Sequence, residues 1–183
     1  MKNKSNLQRV LSEGKFAVTA EIGPPKGSDP EKITKKGKII KGYADAFNVT
    51  DNQTAVVRMS SIAGSCILLE MGLEPIMQIT CRDRNRIALQ SDVLGASAVG
   101  IKNMLCITGD HQSFGNHPGS KGVYDLDSIQ FIQVIKNMRD SGVFQSGDKI
   151  LSGKPEIFIG AATNPFSDPY ESVSYTHLRA HET

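Results

Sequence analysis

Short apolar runs recur along this chain at a nearly constant interval. The first four strand candidates begin at Phe16, Ala46, Glu74 and Asn103, steps of 30, 28 and 29 residues. A strand–helix–strand unit takes about 30 residues. The repeat therefore predicts parallel strands joined by right-handed helical crossovers. The strands expected are 16–22, 46–50, 74–81 and 103–108, with a fifth over 156–162, each bounded by Gly, Pro, Asp or Asn.

The intervals read as helices. Asp29-Pro30-Glu31 offers a cap and a Pro at the first helical position, predicting a helix to about Tyr43. Ser60 or Ser61 starts a second helix that runs through Met71 and stops at Gly72. Asn85 starts a third through about Val99, with Ile87, Leu89, Val93 and Leu94 as its apolar face. Asp125 or Asp127 starts a fourth, faced by Ile129, Ile132, Ile135 and Met138. A short helix over 6–12 precedes the first strand.

Two architectures answer this pattern: an open doubly wound sheet, or a (β/α)8 barrel. A barrel takes about 250 residues, and 183 residues hold five such units. The sheet is then either open by design or the N-terminal portion of a barrel. Residues 172–183 lack apolar periodicity and hold two of the four histidines, so they are expected to be a non-native tail behind a single domain over 1–171.

Composition narrows the function. A net charge of +2 is too balanced to imply nucleic acid or an acidic membrane as partner. No apolar run approaches the ~20 residues of a membrane span, and no apolar stretch follows the basic start, so a cytoplasmic protein is expected. Cys66, Cys81 and Cys106 each lie in an apolar stretch and read as buried free thiols. His111 and His117 share no metal-ligand spacing with them, so no metal site is expected. Phosphate loops of the Walker or GxGxxG type and the GxSxG elbow are absent from the sequence.

In parallel α/β folds the chemistry sits at the C-terminal ends of the strands. Polar residues gather there: Glu21, Thr50 and Asp51, Gln78 and Thr80, Thr108 and Asp110, Thr163 and Asn164. Glu21 lies inside an apolar strand before Ile22-Gly-Pro-Pro25. A half-desolvated carboxyl there has a raised pKa and can act as a general acid; a surface residue or an ion pair is the competing reading. Asp110 follows Gly109, which gives a flat ligand room to approach, although Gly-Asp is also ordinary turn chemistry. The polar stretch 111–124 is long for a βα turn and reads as a ligand-binding loop or a surface insertion. Cys81-Arg-Asp-Arg-Asn-Arg86 could hold an anion or form a salt-bridged turn.

Taken in order, these strand ends resemble the methylenetetrahydrofolate reductase family. The resemblance is carried by Ala20-Glu-Ile-Gly-Pro-Pro25, Phe47-Asn-Val-Thr-Asp51, Gln78-Ile-Thr-Cys81, Leu105-Cys-Ile-Thr-Gly-Asp110 and Val123-Tyr124, and spans about 15–171. It implies a TIM (β/α)8 barrel, here incomplete with about five parallel strands, that binds FAD, with FMN as the alternative. The implied reaction reduces 5,10-methylenetetrahydrofolate to 5-methyltetrahydrofolate. Glu21 would protonate the folate N10, and Asp110 would sit near flavin and pterin. Thr50, Asp51, Gln78, Thr108, Gly109, Asp110, Tyr124 and Ala162 fall at positions that look like flavin contacts.

The sequence also departs from the family pattern. Gln78 stands where one branch has His, and Thr108 where that branch has Arg. The Gln-Ile-Thr-Cys-Arg-Asp-Arg-Asn form is similar to a branch from anaerobes. Some of its members pair with a partner subunit and take electrons from sources other than NAD(P)H. The electron donor is therefore NAD(P)H or another reductant, and the assembly a homo-oligomer or a complex with such a subunit. The 183 residues by themselves are expected to be inactive. A flavin- or folate-binding assembly module without turnover is the alternative function.

Overall fold

The computed structural model describes residues 5–163 of the chain. Five parallel strands form one sheet in sequence order: β1 (Thr19–Ile22), β2 (Ala46–Val49), β3 (Pro75–Thr80), β4 (Asn103–Ile107) and β5 (Phe158–Ala161). Each strand pairs with the next in the chain, as successive βαβ units of a barrel do. The sheet is open, the arrangement of an incomplete TIM-like barrel. Asn164 and the tail over 172–183 lie outside the described residues.

Side-chain alternation divides the sheet into two faces. Ile22, Val49, Met77, Met104 and Ile159 share one register row across all five strands. With Phe47, Ile79 and Cys106 they face outward, under the helices, and form the sheet side of the core. The helices are α2 (Glu31–Ile40), α3 (Ser61–Glu70), α4 (Arg86–Ala98) and α5 (Ser128–Asp140). Fully burying each such Ile, Val, Met or Phe is worth about 1.5–3 kcal/mol.

The opposite face would be a barrel's interior. Its lower half is covered by α1 (Asn6–Ser12), whose Leu7 packs on Ala46 and Ile76. Glu74 fixes that helix. Its carboxylate accepts from the backbone N–H groups of Asn6 (2.6 Å) and Leu7 (2.9 Å), where the helix dipole favours negative charge. The upper half of this face carries Glu21, Asn48 and Gln78 and has no helix over it among the described residues.

Local chemistry explains most element boundaries. Ser60 caps α3 by accepting from Ala63 N–H, and Asn85 caps α4 through Ile87 and Ala88. Asp127, not Asp125, caps α5, in a capping box with Gln130. Several expectations need correction. The first strand starts at Thr19 rather than Phe16, because Val18 N–H goes to the Asp45 carboxylate and parallel pairing begins at Thr19 opposite Ala46. Phe16 is 91% exposed. The second helix ends at Ile40, short of Tyr43, because Gly42 turns into the left-handed region at φ 87°. Ile87 is 75% exposed, so it does not belong to the buried face of α4, which Leu89, Val93 and Ala96 form. On α5 the buried face is Phe131, Val134, Ile135 and Met138, while Ile129 faces solvent.

Candidate active site

A polar cavity of about 360 Å³ opens at the C-terminal ends of β1–β4. Its lining brings together residues far apart in the chain: Glu21, Thr50, Gln78, Arg82, Gly109 and Asp110, together with Asp51 and Thr80. Glu21 and Asp110, the two acids singled out from the sequence, thus share one cavity. Its volume lies at the low end of the ~300–1,000 Å³ range of ligand pockets.

Three polar groups here lack partners among the described residues. The Thr50 hydroxyl is buried with no hydrogen bond. The Gln78 amide and the Glu21 carboxylate make no hydrogen bond or ion pair among the described residues. An unpaired buried hydroxyl costs about 1–3 kcal/mol, so a ligand that served it would regain that energy. Glu21 is exposed, which corrects the expected half-desolvation. The cause is geometric: Glu21 projects from the upper inner face, which nothing among the described residues covers.

Asp51 is placed differently. Its side chain is wholly buried and spent within the protein. One oxygen accepts from Thr80 N–H (2.9 Å), the Thr80 hydroxyl (3.1 Å) and Arg84 Nη1 (2.6 Å). Arg84 also donates to Asp92 at 2.8 Å. Burial works against the Arg84 charge, but Asp51 and Asp92 outweigh it and hold its pKa above the ordinary value. This clasp locks the end of β2 to the end of β3.

Arg82 makes a second clasp that the sequence did not reveal. It is buried, and its guanidinium donates to both Asp83 oxygens (2.8 and 2.7 Å), to the Asp110 carbonyl (3.1 Å) and to the Asn52 carbonyl (3.3 Å). The hydrogen bond from Arg82 is the main reason its own pKa is raised. Burial opposes the Asp83 charge, yet Arg82 outweighs it and holds that carboxyl below the usual carboxylate range. Arg86 pairs with Asp125 at 2.8 Å. The 81–86 cluster is therefore the salt-bridged alternative, with all three arginines engaged by protein carboxylates.

Gly109 is required twice over. Its φ is 94°, and an added Cβ would meet Thr80 Cβ at 3.1 Å and Arg82 Cβ at 3.2 Å. Asp110 then turns its carboxylate to Thr54 N–H at 3.0 Å. Tyr124 donates its hydroxyl to the Asp110 carbonyl at 3.3 Å, so it braces the loop from beside the cavity. Thr108 points to α5, exchanging hydrogen bonds with Ser128. Ala162 follows β5, exposed and away from the cavity lining. The 111–124 segment folds back on the β2–α3 loop: Asn116 accepts from Val57 N–H, and Gly115 lies where a Cβ would strike the Ala55 carbonyl.

The three cysteines are free thiols; Cys81 and Cys106 are buried and Cys66 partly so. Burial pushes Cys81 up to about 11 and raises Cys106 as well, so these two sulfurs stay protonated and unreactive near neutral pH.

Fold and cavity define the class: a parallel α/β protein of the TIM-barrel kind, with acidic and amide groups converging where its strands end. The chain belongs to the methylenetetrahydrofolate reductase family, whose sequence model matches residues 6–154. That family reduces a folate-borne one-carbon unit and generally depends on a flavin. No curated protein matches the sequence. No helix among the described residues is long and apolar enough to cross a membrane.

Proposed function

We propose that this chain supplies the first five β/α units, over 1–171, of a barrel that reduces 5,10-methylenetetrahydrofolate to 5-methyltetrahydrofolate. The observation that carries the reading is the shared cavity: a carboxyl on β1, unpaired among the described residues, and an acidic group after β4 line one polar space. The residues present fit a flavin. The pyrimidine edge of an isoalloxazine alternates N–H and C=O groups, which the unpartnered Thr50 hydroxyl and the free Gln78 amide can serve. FAD is the cofactor proposed, and FMN the alternative. When bound and reduced, it supplies a hydride to the methylene carbon of the folate.

The protein's own part is proton transfer and electrostatics. Glu21 gives a proton to N10, the bond from the methylene carbon to N10 breaks, and an N5 iminium cation remains. Asp110 lines the same cavity and favours that cation by charge. Its grip on Thr54 N–H keeps the carboxylate in place. Arg84, Asp51 and Thr80 hold the strand ends in register and leave Gln78 and Thr50 facing the cavity. The electron donor is NAD(P)H or another reductant, and the setting is the cytoplasm.

The test separates the two half-reactions in the protein with its barrel complete. Glu21→Gln is expected to slow reoxidation of the reduced flavin by methylenetetrahydrofolate by ~100-fold or more, the usual reach of a general acid. Flavin reduction by the donor is expected to change little. Stopped-flow absorbance reads both, and equal losses in the two half-reactions would refute the acid role.

A further inference from the structure

The cavity holds more negative than positive charge, and the exception is informative. Glu21, Asp51 and Asp110 line it, and Arg82 is the sole cationic side chain among the described residues of the lining. Asp51 is neutralised by Arg84. A guanidinium carries five N–H donors. Arg82 spends its Nε–H on Asp83, both Nη2 donors on Asp83 and Asn52, and one Nη1 donor on the Asp110 carbonyl. One Nη1–H remains without a partner among the described residues. The guanidinium is held from three loops at once, so its position is fixed before any ligand arrives.

We infer that Arg82 is a cofactor-binding residue whose remaining Nη1–H and positive charge stabilise the electron-rich pyrimidine edge of the reduced flavin, with Asp83 setting how much of that charge the cofactor feels. The inference rests on the flavin reading above. A reduced flavin at neutral pH carries its negative charge on that ring. Beside Glu21 and Asp110 such an anion is disfavoured unless a cation compensates, and in a partly desolvated cavity the compensation is worth more than in water. Arg82 is built to provide it, because burial and three anchored partners prevent it from swinging away. Asp83 lies on the far end of the same fork, and its carboxylate offsets the guanidinium.

The two members of the pair therefore act on the flavin in opposite directions. The midpoint potential of the flavin-loaded protein, measured by dye-equilibrated reduction, is expected to rise in Asp83→Asn, which keeps the guanidinium and its bonds to Asn52 and Asp110. It is expected to fall in Arg82→Met, with flavin affinity weakened by roughly tenfold to a hundredfold, the reach of one charge-assisted hydrogen bond. Arg82→Lys is expected to recover part of the potential but not the full affinity. If Arg82→Met fails to fold, the Asp83→Asn potential decides alone. A purely structural pair would shift thermal stability in both variants and leave the potential where it was. Flavin uptake with an unchanged or lowered potential in Asp83→Asn overturns this inference and leaves the reductase reading standing. Absence of flavin uptake by the unmodified protein with its barrel complete overturns both.

Discussion

Single residues explain why the strand ends hold their shape. Asp51 has no solvent exposure in its side chain, and Arg84 is its ionic partner. Removing one member of a buried pair leaves the other charge uncompensated, at a cost of roughly 3–5 kcal/mol. Arg84→Ala is therefore expected to destabilise the fold by about 3 kcal/mol or more, read as a lowered denaturation midpoint. Asp92→Ala, which removes the more exposed contact of the same arginine, is expected to cost about 1 kcal/mol or less. Equal effects would show that Asp51 is not the partner that matters. Glu21, Gly109 and Asp110 were legible in the sequence because motif and strand end coincide. The clasps were not. Arg82 and Arg84 look like solvated turn residues until the fold brings Asp110 and Asp51 to them across 28 and 33 positions. Nothing local distinguishes an arginine whose partner is distant from one whose partner is water.

Among the elements, the crossover period was readable because it follows from the length of a strand plus a helix, which packing cannot alter much. Helix phase was less readable. On α4 both Ile87 and Leu89 satisfy an apolar count, and only the position of the sheet decides that Leu89 turns inward. The first turn of α4 is also tied to the loop before α5. Arg86 donates from Nε and Nη2 to the Asp125 carboxylate, and its backbone N–H joins them. Those hydrogen bonds lower the Asp125 pKa from 3.8 to about 2. A carboxyl depressed in the folded state contributes stability above its unfolded value and loses it as pH falls through the folded one. The stability difference between wild type and Asp125→Asn should thus be constant near neutral pH, shrink below 3.8 and vanish near 2. Thermal melts across an acid series check this. A difference that grew on acidification would contradict the sign.

At the scale of the whole molecule, the sheet has two ends. A closed barrel has no edge strands, because its last strand pairs with its first. Among the described residues, β1 pairs only with β2 and β5 only with β4, so each leaves one side of its backbone without a strand partner. Next to β1 the chain exposes Phe16 and Val18, and the upper inner face carries Glu21 in the open and Gln78 half-buried. Unpaired strand edges flanked by apolar side chains template pairing with other chains. The 183-residue protein is accordingly expected to self-associate with rising concentration, measured by sedimentation velocity across a dilution series. Val18→Lys places a charge beside the β1 edge without touching the core, and it is expected to shift that association to higher concentration while leaving the melting temperature nearly unchanged. A protein that stayed monomeric throughout would show that its own residues cover both edges. In that case the cavity at the strand ends would also be better enclosed than its present lining, and Glu21 would be more desolvated than its exposed position on β1 implies.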